Sequence, residues 1–201
     1  MNLNLSVAET LNARLAGLNG LPNQRLMKFV GIKVQGRQRD HLLELARTRH
    51  DTADRLGGRR TGFLGQAAEK IARPANVSAA DRTATVVLDH PGMRRAFEDV
   101  TIRPVNGATL LTIPIDGASY GNRIRKGASS RFQKGFWYTS KKGNKLFAVH
   151  TPDGLRNLYL GRESVRQKQD RTLLAPEKDL KAAAVEGAAA YLDLLIRQRR
   201  A

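Results

Sequence analysis

Residues 110–126, LLTIPIDGASYGNRIRK, constrain the fold of this chain more than any other stretch. The run LLTIPI is short, apolar and rich in branched residues, and Asp116–Gly117 closes it with a turn signal; this pattern predicts a buried strand. Pro114 has no N–H to donate, so the strand belongs at a sheet edge or ends its pairing there. The small-residue segment Ala118–Ser119–Tyr120–Gly121 follows, with Tyr120–Gly121 read as a hinge. Arg123, Arg125 and Lys126 come next. Any fold for this chain must therefore pass from a core strand directly into strongly basic sequence.

Charge says how unusual that basic sequence is. The chain of 201 residues has a formal net charge of +17, and its basic residues are unevenly spread. Residues 121–145 hold eight Lys/Arg and no Asp/Glu, whereas residues 74–120 hold four basic and five acidic residues. A charge of this size attracts polyanions, with nucleic acid the first partner to consider. The sequence contains no cysteine, which removes disulfides, zinc–thiolate sites and thiol catalysis together. No stretch has the length of a membrane span. MNLNLSVAETLNARL lacks a basic region followed by an apolar one, so no secretory leader is expected.

Helical periodicity predicts helices over residues 5–18, 24–55, 61–72 and 176–199. Ser6 with Glu9 has the capping-box form, Asn23 is a candidate N-cap after the Gly20–Pro22 break, and Thr61 is another. Leu26, Phe29, Val30, Val34, Leu42, Leu45 and Ala46 would share the inner face of the second helix. Gly31 and Gly36 inside it predict a bend or a close backbone approach. Its outer face carries Arg25, Lys28, Lys33, Arg37, Arg39, Arg47 and Arg49, for which a solvated face is the preferred account. Phe63, Leu64, Ala67, Ala68 and Ile71 form the apolar side of the third helix, which Pro74 ends. The last helix has Glu177 and Asp179 in its first turn and Arg197, Arg199 and Arg200 at its end, matching the helix dipole. Its expected buried face is Val185, Ala188, Ala189, Leu192, Leu195 and Ile196.

Strands are predicted at 84–88, 99–104, 110–115, 136–139, 145–150 and 155–160, with one helical turn at 90–97. Asn106–Gly107 predicts a hairpin or tight return between 99–104 and 110–115. Lys141–Asn144 predicts a second, basic-tipped hairpin. Residues 121–135 have no clear period and read as a long loop or arm, and residues 161–175 as a polar connector. The expected fold is one α+β domain over residues 1–201, with a mostly antiparallel sheet packed against N-terminal, middle and C-terminal helices and a long basic loop and hairpin arm. It comprises a helical region at 1–56, a helix-plus-sheet core at 57–160 with the arm at 121–145, and a connector with the C-terminal helix at 161–201.

No catalytic, cofactor or metal site is expected. His41, His50, His90 and His150 are not paired at metal-ligand spacing, and His150 with Asp153 at a turn is too little for a nuclease. Residues 57–62 lack the preceding strand and the Lys-Ser/Thr of a phosphate loop. The candidate site is instead the basic and aromatic stretch: Arg123, Arg125, Lys126, Arg131, Lys134, Trp137, Tyr138, Lys141, Lys142 and Lys145, interleaved with Phe132, Phe136 and Phe147. This composition suits single-stranded nucleic acid, where charge meets phosphate and rings stack on bases. It equally suits a protein interface anchored by aromatics and arginine. A third account has Trp137 and Phe147 facing the hairpin's core while the lysines solvate its tip.

The order of motifs carries a resemblance over about residues 55–200. Arg59–Arg60–Thr61–x–Phe63 opens a helix containing Ala67–Ala68. Val86–Leu88, the Gly92–Phe97 turn, Ile102–x–Pro104, Leu111–x–Ile113–Pro114 and Tyr120–Gly121 follow, then a basic loop, a hairpin and an alanine-rich helix. The series resembles the tailed-bacteriophage neck and tail-completion proteins, which join head to tail. Members of that class often carry a glycine pair before the I-x-P strand, where this chain has Glu98–Asp99–Val100. The resemblance implies a non-enzymatic structural subunit of the virion, assembled in the bacterial host cytoplasm as a homo-oligomeric ring at the head–tail junction. Its implied partners are connector or portal-side proteins and tail-tube proteins, with transient, non-specific contact to packaged DNA and no membrane. The alternative is a nucleic-acid-binding module that uses residues 121–145 as a clamp.

Overall fold

The computed structural model describes residues 2–3, 23–49, 51–56, 62–71, 77–78, 83–120 and 134–200. The expected helix at 5–18, the Thr61 cap, the turns at 57–60 and 81–82, Pro74 and the segment 121–133 lie outside these residues. In chain order the elements are β1 (Asn2–Leu3), α1 (Asn23–Thr48), α2 (Asp51–Leu56), α3 (Phe63–Glu69), β2 (Val77–Ser78), β3 (Thr83–Ala84), β4 (Val86–Val87) and a 3-10 helix (Pro91–Ala96). They continue with β5 (Val100–Ile102), β6 (Leu111–Pro114), β7 (Phe136–Thr139), β8 (Lys145–Thr151), β9 (Gly154–Arg162), β10 (Val165–Gln167), a second 3-10 turn (Arg171–Leu173) and α4 (Glu177–Arg200). The fold is α+β, and every strand pairing is antiparallel.

The chain forms two compact units. The first comprises residues 1–48, 63–98 and 169–201 and is built on α1, which lies against both α3 and α4. Leu26, Val30, Val34 and Leu42 are buried along α1 at steps of four and eight, so one ridge faces inward. Gln38 continues that ridge and is also buried. Its amide donates to Leu173 O at 2.9 Å and accepts from Ala175 N–H at 2.9 Å, replacing a strand partner for that loop and satisfying both ends of a buried amide. α1 runs unbroken through Gly31 and Gly36. Of the two expected consequences the close backbone approach is the one present: beside the buried Gly31, α4 comes so near that a Cβ on Gly187 would stand 2.7 Å from Val30 Cα and 2.8 Å from Phe29 O.

The inner face of α4 corrects the expected one. Leu180, Ala183, Ala184, Gly187, Ala188 and Tyr191 are buried, while Val185 and Ile196 are exposed and Ala189 points outward. Small residues win the interface because two helix backbones in near contact leave no room for branched side chains. Lys33 and Arg37, expected to be solvated, reach across to Glu186 and Asp179 of α4. The strand expected at 84–88 divides at Thr85 into β3, which pairs with β2, and β4, which pairs with β1; Leu88 bridges to Ile71.

The second unit comprises residues 49–62 and 99–168. Its centre is a four-stranded sheet in the order β6-β9-β8-β7, with β5 and β10 forming a separate pair. β6 is an edge strand, which suits Pro114, but it is not the buried strand expected: none of Leu110–Ile115 is fully buried, and Thr112 and Ile115 are exposed, because an edge strand is covered less completely than the central β8 and β9. Asn106 and Gly107 adopt φ of 56° and 72°, and Ala108 N–H donates to Val105 O at 3.2 Å, which makes a type I′ turn. Of the two expected forms the tight return is present and the hairpin is not: β5 pairs with β10 and β6 with β9. Pro104, directly before the turn, cannot donate to a ladder, and the nine-residue β9 and the following β10 offer both strands a partner. The connector at 161–175 accordingly contains β10 and the second 3-10 turn.

Candidate functional site at a basic sheet edge

β6 delivers the chain to the basic stretch through a tightly bonded turn. Asp116 Oδ1 accepts from Ala118 N–H at 2.8 Å, and Asp116 O accepts from Ser119 N–H at 3.1 Å and Tyr120 N–H at 3.2 Å. Ser119 is fully buried, and its Oγ lies 2.7 Å from both Asp116 O and Leu158 O, between which its single proton is shared. Leu158 O faces β6, where it also accepts from Ile115 N–H at 3.0 Å. On its β8 side β9 bulges at the same place: Phe147 pairs with Tyr159 but Ala148 with Asn157, which leaves Leu158 as the extra residue. Tyr159 Oη in turn donates to Ser119 O at 3.2 Å. Arg156 grips both Asp116 carboxylate oxygens at 2.9 Å. Burial pushes the Asp116 carboxyl up, but the hydrogen bonds from Arg156 and Ala118 and the Arg156 charge outweigh it, so it titrates below the usual carboxylate range. The segment read as small residues leading to a hinge is therefore tied down as far as Tyr120; Gly121 lies outside the described residues.

On the other side of the segment 121–133 the chain returns as β7. The register aligns Trp137, Phe147, Tyr159 and Pro114 in one row across all four strands. Trp137 meets Phe147 edge-on at 5.4 Å between centroids, and Phe147 meets Tyr159 at 6.0 Å. Phe147 and Tyr159 are buried, whereas Trp137 remains 41% exposed, with its ring over Gly161, where a Cβ would come within 2.9 Å of it. On the opposite face Phe136 stacks on His150 at 5.2 Å, and Tyr138 Oη donates to Asn157 Oδ1 at 2.8 Å.

These positions separate the sequence candidates. Arg123, Arg125, Lys126 and Arg131 lie outside the described residues. Lys134, Lys141, Lys142 and Lys145 are exposed at the two ends of the β7–β8 hairpin, and none forms an ion pair with a described carboxylate. Tyr138 is half-buried and held by Asn157, so Phe147 and Tyr138 are structural while Trp137 and Phe136 remain presentable. Sequence reasoning missed Asp116, Ser119 and Arg156. The Asp-x-x-Ser spacing is a local signal for such a turn, but its partners Arg156 and Leu158 lie about forty residues away.

Among the described residues no three His, Asp or Glu side chains gather where a metal could bind, and no helix is long and apolar enough to cross a membrane. Comparison with models of known families, with curated proteins and with solved structures finds no match to this chain.

Proposed function

We propose that this chain is a non-enzymatic structural subunit of a tailed-phage virion, forming a ring at the head–tail junction that links the connector side to the tail. The observation that supports this reading best is the β7–β8 hairpin, whose exposed Trp137 and Phe136 sit between lysines that no described carboxylate neutralises. Exposed aromatics beside unspent charge fit a surface completed by a partner. The motif series supports the same reading, because Ile102 ends β5, Leu111–Pro114 is β6, and Tyr120 closes the bonded turn that roots the basic segment.

The test is the mass of native particles, by mass photometry or electron microscopy, for the protein alone and with the surrounding virion components. Ring-sized species are expected; a strict monomer in every condition overturns the reading. The exposed Trp137 favours one rival, a single-strand clamp, and salt dependence separates the two. Eight phosphate contacts would give a log–log salt slope of roughly −6 and leave measurable affinity at physiological salt. A protein-facing surface loses its weak oligonucleotide binding with modest salt.

A further inference from the structure

The hydrogen-bond register of β7 shows which of its backbone groups face outward. Ser140 N–H donates to Asn144 O at 2.9 Å, so Ser140 and Asn144 are a hydrogen-bonded pair. Antiparallel ladders alternate, and the register places Tyr138 opposite Leu146 and Phe136 opposite Ala148. Tyr138 and Phe136 therefore point their N–H and C=O groups inward to β8. Trp137 and Thr139 point theirs away from β8, and no described strand lies beyond them. β7 thus presents two donors and two acceptors along an open edge.

The opposite edge of the sheet differs. Ile115 N–H donates to Leu158 O at 3.0 Å, so by the same alternation Thr112 and Pro114 face outward from β6. Pro114 has no N–H, and that edge is blunted. We infer that β7 is the docking edge of this sheet, and that an extended acidic segment of another protein adds to it as a fifth strand. The inference rests on reading this edge as an assembly surface and names the partner's chemistry. Charge selects the occupant: exposed Lys134 precedes β7, Lys141 and Lys142 lie in the turn after it, Lys145 on β8 stands opposite Thr139, and residues 121–145 contain no acid. A second copy would bring the same positive charge to the same place, whereas an acidic strand gains both the ladder and the ion pairs.

Amide hydrogen exchange on the full chain tests this, with an octapeptide of alternating valine and glutamate as the probe. Exchange at the Trp137 and Thr139 amides should slow by about tenfold or more on binding. The valine–lysine analogue and a thymidine oligomer should leave it unchanged. Thr139→Pro removes an outward donor without touching the β7–β8 ladder, and should weaken the acidic peptide about tenfold. If that variant fails to fold, K141E/K142E serves instead and should abolish peptide binding. Slow exchange at both amides in the free protein, equal protection by the thymidine oligomer, or unchanged binding by the variants overturns the inference. Loss of the native ring in Thr139→Pro would assign the edge to a second copy, overturning the acidic partner while the ring stands. Peptide protection in a strictly monomeric protein would support the docking edge while the ring reading fails.

Discussion

Ser119 is a small side chain with two distant obligations. Its hydroxyl bridges the turn after β6 to the bulge of β9, and it is completely enclosed. Ser119→Ala removes the donor and leaves buried carbonyl groups under-satisfied, so it should lower the unfolding free energy by about 1–3 kcal/mol in denaturant titrations. A loss within error would mean that Ile115 N–H alone satisfies Leu158 O. His90 predicts a pH effect. Its Nδ1 accepts from Gly92 N–H at 3.2 Å at the start of the 3-10 helix, and its ring packs against Phe63 at 4.9 Å. Burial, then the charge of Lys70, hold its pKa below the ordinary value, with Asp89 opposing them. The unfolded chain therefore takes up the proton first, and stability should fall as pH drops below about 6.5 toward the folded-state value. His90→Asn keeps an acceptor at the cap and should flatten that part of the pH profile; an unchanged slope would place the effect elsewhere.

At the scale of elements, two glycines in the paired helices should respond oppositely to the same substitution. Gly187→Ala places a methyl group against the backbone of α1, and separating the helices should cost about 1–3 kcal/mol despite alanine's better helix propensity. A Cβ added to Gly36 on α1 would meet nothing within 4 Å, so Gly36→Ala should stabilise by up to about 1 kcal/mol. Thermal unfolding of both variants checks the pair, and a stabilised Gly187→Ala would mean the helices can separate freely. Periodicity located α4 and the start of α1 to within about a turn, but it ran α1 on to residue 55, where the helix ends at Thr48 and α2 begins at Asp51. For α4 it caught part of the inner face, Ala188 and Leu195, and misplaced Val185, Ala189 and Ile196. Hydrophobicity ranks Val185 and Ile196 above Ala184 and Gly187, while the backbone approach of α1 ranks them in reverse. The Asn106–Gly107 turn teaches the same lesson, since its local geometry is that of a hairpin but β9 and β10 take the flanking strands.

For the whole molecule, charge is the property read most directly from composition, and the fold concentrates part of it. The hairpin lysines have no described carboxylate partner, while Arg156, Arg37 and Arg95 are paired with Asp116, Asp179 and Asp170. Basic residues that brace the fold are thereby distinguished from those without a described carboxylate partner, a division that counting along the chain does not reveal.

The α+β class, the edge position of the LLTIPI strand, the β7–β8 hairpin and the basic character of what surrounds it were legible along the chain. Each follows from a local rule: side-chain period, the missing N–H of proline, turn chemistry or charge count. Long-range packing set the rest: Ser119 and Asp116 secure the strand's exit, Gly187 seats α4, and Trp137 and Thr139 turn their backbone groups outward. Those outcomes depend on partners about forty residues away or further, or on the phase of a ladder, and no local pattern carries that information.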